Sequence, residues 1–208
     1  MYARRYRNDS TPYGAEFQVN SNSLLNSLIS VGGLADGGYI FVWRTISNGL
    51  MMVKARRYSS NSTPYGTEFQ VGTDTNVQGT PVIANQIDGG FVIAWLSGSS
   101  TYKIYGQLFA ADSSPIGSPF QVNTNRGITP TSTPIIGTLK DGGFVVSWQG
   151  NGQDGVSYGV YSQRFDRHGN MLGIISFPTS QPSSQLSSLP TRRPSNQPTG
   201  RPTSQPSL

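Results

Sequence analysis

Apolar residues in this chain come in short runs cut by Gly, Ser, Thr, Asn and Asp, and the runs recur. In the clearest stretch, Thr80 to Asn85 is a short β-prone run, Asp88-Gly89-Gly90 a turn, and Phe91 to Trp95 an apolar strand. A polar loop follows from Ser97 to Thr101, Lys103 to Phe109 alternates as a third strand, Asp112 to Gly117 turns, and Phe120 to Asn123 reads as a fourth. Period-2 alternation between turn residues predicts strands. Charged residues make up only 12% of the chain while Gly, Ser, Thr, Pro and Asn are plentiful, so almost no helix is expected.

The same phrase occurs three times. Asp36-Gly37-Gly38 leads to Trp43, Asp88-Gly89-Gly90 to Trp95 and Asp141-Gly142-Gly143 to Trp148, and each follows a Phe-Gln-Val triplet at Phe17, Phe69 or Phe120. A repeat of about 50 residues marks a supersecondary unit that must stack on copies of itself to bury its apolar surface. Four strands per unit is a propeller-blade count. The expected fold is all-β, with roughly 52-residue repeats of four-stranded antiparallel blades arranged as a partial β-propeller of about three and a half blades, or as an open β array. The expected blades are 1–20 (half), 21–72, 73–123 and 124–177, and Tyr2 to Tyr6 already reads as the third strand of a repeat, so the chain is expected to be a piece of a longer array.

In the second strand Phe91, Ile93 and Trp95 point to one face and Val92 and Ala94 to the other, and Phe144, Val145, Val146 and Trp148 do likewise. A strand dry on both faces needs neighbours above and below, as a blade between blades has. Trp43, Trp95 and Trp148, recurring at the centre of each unit, are expected to be core.

Two spacings are fixed. Asp to Trp is 7 in every unit (36 to 43, 88 to 95, 141 to 148), and the third-strand aromatic to the next Phe is 11 (6 to 17, 58 to 69, 109 to 120). Length changes fall in the second-to-third and fourth-to-first connections, which leave an antiparallel blade at the same end. One rigid face and one face of variable loops are therefore expected, with recognition on the variable one, at Asn125, Arg126, Gln153 and Asp154. These polar, nearly uncharged loops suit glycans.

The net charge of +5 does not mark a nucleic-acid binder. Without the tail's Arg192, Arg193 and Arg201, 12 basic side chains stand against 10 acidic ones. The densest clusters, Arg4-Arg5-Arg7 and Lys54-Arg56-Arg57, occupy equivalent repeat positions and are expected to be solvated strand faces. With no cysteine, disulfide frameworks, zinc fingers and thiol nucleophiles are excluded, and no apolar run reaches the roughly 18 residues of a membrane span.

Catalytic chemistry has little support. His168 is the single histidine and sits in a turn sequence, Arg167-His168-Gly169-Asn170, and Asp74, Asp112 and Asp154 lie in separate loops. Each Asp-Gly-Gly offers one carboxylate followed by apolar strand, which fits a turn better than a calcium loop with several converging oxygens. No metal or cofactor is expected. Two glycosylation tripeptides, at Asn8 and Asn61, fall in the rigid turn between third and fourth strands.

From Pro178 proline recurs every fourth residue with one interruption at Leu186, so 178–208 is expected to be a disordered, extended stalk or linker rich in hydroxyls.

The string Asp141 to Trp148, with Tyr158 to Asp166 and Glu16 to Asn20, resembles repeats of very large secreted or surface proteins of bacteria. The tail resembles Pro-Thr-Ser-Gln arrays of cell-surface proteins in algae and related protists. Together these resemblances imply an extracellular or cell-surface, non-catalytic role. A binding or adhesion module for glycans or other surface and matrix proteins is expected first. A structural spacer that self-associates through exposed blade faces comes second, and a propeller glycosidase or lyase third.

Overall fold

The computed structural model describes residues 1–21, 24–124, 129–151 and 158–176. It is all-β, with no helix among the described residues. Strands β1 (Tyr2–Tyr6) and β2 (Pro12–Gln18) form a two-stranded sheet. Two four-stranded antiparallel sheets follow: β3 (Leu25–Gly33), β4 (Tyr39–Ser47), β5 (Leu50–Tyr58) and β6 (Pro64–Val71), then β7 (Val77–Asn85), β8 (Phe91–Ser97), β9 (Lys103–Phe109) and β10 (Pro115–Gln121). In the last sheet β11 (Thr129–Pro130) and β12 (Ile135–Thr138) both pair with β13 (Phe144–Asn151), which continues to β14 (Gly159–Phe165) and β15 (Met171–Ser176). We call these sheets the half blade and blades 1, 2 and 3. The first strand of blade 2, β7, adjoins β3 on one side and β12 on the other, so the first strands gather inside and β6 and β10 lie outermost.

The blades hold together through three cores. Val19 and Phe17 of the half blade pack on Phe41, Trp43 and Tyr58; Ile40, Val42 and Ala55 of blade 1 pack on Phe91, Ile93 and Trp95; and Val92, Ala94 and Leu108 of blade 2 pack on Phe144, Val146 and Trp148. β8 is accordingly buried at all of its positions. β13 differs. Phe144, Val146 and Trp148 are buried against blade 2, but Val145 and Ser147 are only half-buried and Gln149 is exposed, so the expectation of two dry faces fails for this strand. No further described sheet covers that side. Ser147 occupies the place of Ala94 and bonds Ser162 through their hydroxyls at 2.7 Å.

The Asp-Gly-Gly turns are the same object three times. The Oδ1 atoms of Asp36, Asp88 and Asp141 accept the N–H of Gly38, Gly90 and Gly143 at 2.9, 3.1 and 3.0 Å. The first glycine of each pair has a left-handed φ, 78°, 87° and 85°, which glycine adopts without steric cost. The third-to-fourth turn is equally uniform. Ser10, Ser62 and Ser113 are left-handed, and Asp9, Asn61 and Asp112 each accept the N–H two residues on.

Both rigid turns span five residues wherever described strands flank them, at 34–38, 86–90 and 139–143, and at 7–11, 59–63, 110–114 and 166–170. The second-to-third connections instead span two residues (48–49), five (98–102) and seven (152–158).

Two sequence readings are corrected here. The outer strand β10 begins at Pro115, so the turn expected to run to Gly117 ends at Ser114. Arg57, expected to be solvated, is 7% exposed. Strand alternation turns it toward blade 2, where it pairs with Asp36 at 2.6 Å and donates to the carbonyl of Ala111.

Bonds from Gly38 N–H and the Arg57 guanidinium hold the Asp36 carboxyl below the usual aspartate value of 3.8, and Gly143 N–H with Arg164 does the same for Asp141. Asp9 and Asp112 are lowered by the Thr11 and Ser114 hydroxyls and then by the backbone N–H of the same residues. A carboxyl depressed on folding contributes stability above its unfolded pKa, and that contribution is lost as pH falls through the folded value. The melting temperature is therefore expected to hold from neutrality to about pH 5 and to fall below about pH 4. Asp36→Asn should be less stable than the wild-type chain at neutral pH and show a shallower acid fall. A melting series in which the two proteins lose stability in parallel would remove Asp36 from this account.

Candidate ligand-binding cleft

Blades 1 and 2 are joined at their centres and part toward the rim. Near the joint Phe109 stacks on Phe91 with centroids 5.0 Å apart and meets Phe69 at 5.6 Å. Outward from Phe69 and Phe109, β6 and β10 separate and leave an open cleft of about 900 Å³. Phe69 and Phe109 form its floor; Tyr65 and Gln70 stand on one wall, and Ser114 and Ser118 on the other.

Tyr65 is 57% exposed, yet its ring is held in place. The Arg57 guanidinium lies 4.6 Å from the ring centroid and is itself fixed by Asp36 and by the Ala111 carbonyl. An exposed ring on a fixed support is a preorganised stacking surface, since little freedom is lost when a ligand covers it.

The cleft's polar groups are mostly neutral. Gln107 Nε2 is spent on the carbonyls of Leu108, Ile116 and Gly117 at 3.0–3.2 Å, which satisfies the bulge between β9 and β10. Asp112 lies at the lip, accepting Ser114 N–H at 2.8 Å and Ser114 Oγ at 2.6 Å. Those bonds hold its carboxyl below the usual aspartate value and leave lone pairs for a ligand hydroxyl. No Lys or Arg is among the cleft's described lining residues.

Asn125, Arg126, Gln153 and Asp154, the residues expected to bind, lie outside the described residues, as do the interval 125–128, which separates β10 from β11, and the tail 178–208. Asn8 and Asn61 are exposed; Asn61 Oδ1 accepts Thr63 N–H at 2.9 Å and Ser59 Oγ at 2.6 Å. Of the acids expected to stand apart, Asp74 accepts Trp95 Nε1 at 2.9 Å and Asp112 caps its turn. His168 is exposed in a turn, where it accepts Arg167 Nε at 2.9 Å and donates its backbone N–H to Asp166. Trp43 and Trp95 are fully buried and Trp148 nearly so.

The cleft was not expected from the sequence. Its signal was the phrase Pro64-Tyr65-Gly66, shared with Pro12-Tyr13-Gly14, which puts an aromatic ring on the outermost strand of a unit already rich in buried ones.

No family model and no curated protein matches the chain. Among solved structures it is similar to the endo-arabinase from Bacteroides thetaiotaomicron, with 16% identity, a TM-score of 0.42, and coverage of 69% of this chain and 57% of that one. It is also similar to a glycosyl hydrolase from Bacteroides ovatus, with 14% identity, a TM-score of 0.43, and coverage of 74% and 52%. The chain thus spans little more than half the length of these structures, and at such scores the likeness assigns it neither a family nor an activity.

Proposed function

We propose that the chain is a non-catalytic binding module of an extracellular or cell-surface protein, and that it recognises glycans in the cleft between blades 1 and 2. The observation that carries this reading is the exposed, rigidly held Tyr65 ring set among hydroxyl and amide groups in a cleft of about 900 Å³. A sugar ring has an apolar C–H face that stacks on an aromatic ring, and hydroxyls around its edge that both donate and accept. The near-absence of charge favours a neutral saccharide over a polyanion, whose phosphates would call for lysine and arginine. A non-catalytic role fits Asp112 standing as the one acid among the cleft's described lining residues, because glycoside hydrolysis uses two carboxyl groups about 5–10 Å apart across the scissile bond.

The test is a glycan array followed by titration of the best binder. Tyr65→Ala is expected to weaken binding at least tenfold, roughly 1.4 kcal/mol, while the joint replacement of Asn125, Arg126, Gln153 and Asp154 by alanine leaves it intact. Loss in the loop variant with retention in Tyr65→Ala would move the site to the loops. An array with no binder at all would overturn the glycan reading.

A further inference from the structure

Among the described residues, β1 carries an unpaired backbone edge. It pairs with β2 on one side only, whereas its counterparts β5, β9 and β14 are each flanked on both sides. Register makes the correspondence specific. Tyr6 opposes Pro12 as Tyr58 opposes Pro64, and Arg5 opposes Tyr13 as Arg57 opposes Tyr65. Arg5 sits over the Tyr13 ring at 4.4 Å, just as Arg57 sits over Tyr65.

Arg57 and Arg164, at the same place in their blades, each pair with the aspartate of their own Asp-Gly-Gly turn, Asp36 and Asp141. Among the described residues Arg5 has no such carboxylate, which is what sets it apart; its Nη1 is buried without a hydrogen-bond acceptor there, as is the Nε of Arg57 and of Arg164. A buried guanidinium nitrogen left unsatisfied is costly.

The neighbouring surface tells the same story. Ile83 and Ile136, at equivalent places on the first strands of blades 2 and 3, pack into the cores between blades. Ile83 lies against Gly32 of the preceding first strand. Val31, their counterpart on β3, is 57% exposed, and Ile29 beside it is 45% exposed.

From this convergence we propose that the free edge of β1, together with Val31 and Ile29, is a docking seat for a two-stranded antiparallel hairpin. The hairpin has an Asp-Gly-Gly turn and an aromatic, β-branched second strand. Its second strand pairs with β1, its first strand covers Val31, and its aspartate takes Arg5. A second copy meeting this edge through its own β1 is disfavoured, because antiparallel pairing of Tyr-Ala-Arg-Arg-Tyr with itself sets arginine against arginine. The partner strand opposite the basic β5 in blade 1 is instead apolar: Ile40, Phe41 and Trp43 face Arg57, Arg56 and Lys54.

The test places a copy of residues 77–103 directly before Met1 of the full chain. This puts the added tryptophan 14 residues before Tyr6, the spacing from Trp95 to Phe109. The backbone amides of β1 are expected to exchange with solvent at least tenfold more slowly, and the melting temperature to rise by about 3 °C or more. Asn in place of the added aspartate, or Arg5→Leu in the extended chain, should remove part of that rise; leucine is what blade 2 carries there, at Leu108. Unprotected β1 amides in the extended chain would overturn the seat, and a rise insensitive to both substitutions would overturn the role of Arg5. The measurement involves no glycan, so its failure leaves the cleft reading standing.

Discussion

Replacing Trp95 by alanine is expected to destabilise the array by about 3–5 kcal/mol, at the upper end for core truncations. Trp95 is fully buried in the core between blades 1 and 2. One face of the indole stacks toward Tyr105 with centroids 6.2 Å apart, and its edge lies so close to Gly72 that a methyl group there would come within 2.6 Å of the ring. Its Nε1 also donates to Asp74 at 2.9 Å, so truncation leaves both a cavity and an unmatched carboxylate. Trp148 makes a useful comparison. It is 6% exposed, its indole nitrogen has no acceptor among the described residues, and no described sheet covers the far side of its own. Trp148→Ala should therefore cost less than Trp95→Ala. Denaturant titrations that rank the two in the opposite order would show that stability does not concentrate in the core between blades 1 and 2.

Much of the fold was legible because it is periodic. The 7-residue interval from aspartate to tryptophan counts a turn plus a strand, and the structure holds it with one turn repeated atom for atom. The third strand of blade 2 has the expected bounds, Lys103 to Phe109. What escaped was what depends on distant chain. Pro115 to Gly117 reads as a turn because it holds a proline and a glycine, yet it is strand. It lies at the sheet's outer edge, where proline's missing N–H costs no ladder bond and Gly117, at a φ of 65°, makes the bulge. Arg57 reads as a surface charge because its partners lie 21 and 54 residues away, one of them in the next blade. The cleft likewise arises from two strands about 50 residues apart that diverge, and no local pattern encodes divergence. The outer face of β13 was misread for the opposite reason: Val145 looks apolar, and the absence of a covering sheet among the described residues goes with a half-buried Ser147 where blade 2 has Ala94.

The two glycines of each Asp-Gly-Gly turn should respond differently to the same added methyl group. Gly89→Ala asks an alanine to adopt a φ of 87°, and its new Cβ finds Ala111 at 3.5 Å, an ordinary contact. The expected cost is the left-handed penalty alone, about 1–2 kcal/mol. Gly90 has no left-handed φ, yet a Cβ there would sit 2.6 Å from the carbonyl oxygen of Phe109. That oxygen belongs to the backbone at the end of β9, an inner strand of a sheet covered by blades on both sides, and cannot swing away as a flexible side chain could. Relief requires parting β8 from β9, so Gly90→Ala should cost about 3 kcal/mol, at the upper end for overpacking. The geometry repeats at Gly38, where the obstacle is the Tyr58 carbonyl at 2.6 Å, and at Gly143, where it is the Phe165 carbonyl at 2.5 Å. In all three blades, then, the second glycine should be the less replaceable one. Blade 3 should show the smallest penalty, since no described sheet packs on its far side to hold β13 and β14 in place. Urea denaturation of the six single alanine variants decides this; a first-position variant that proves costlier than its second-position partner would show that φ, and not the approach of the third strand's carbonyl, governs the turn.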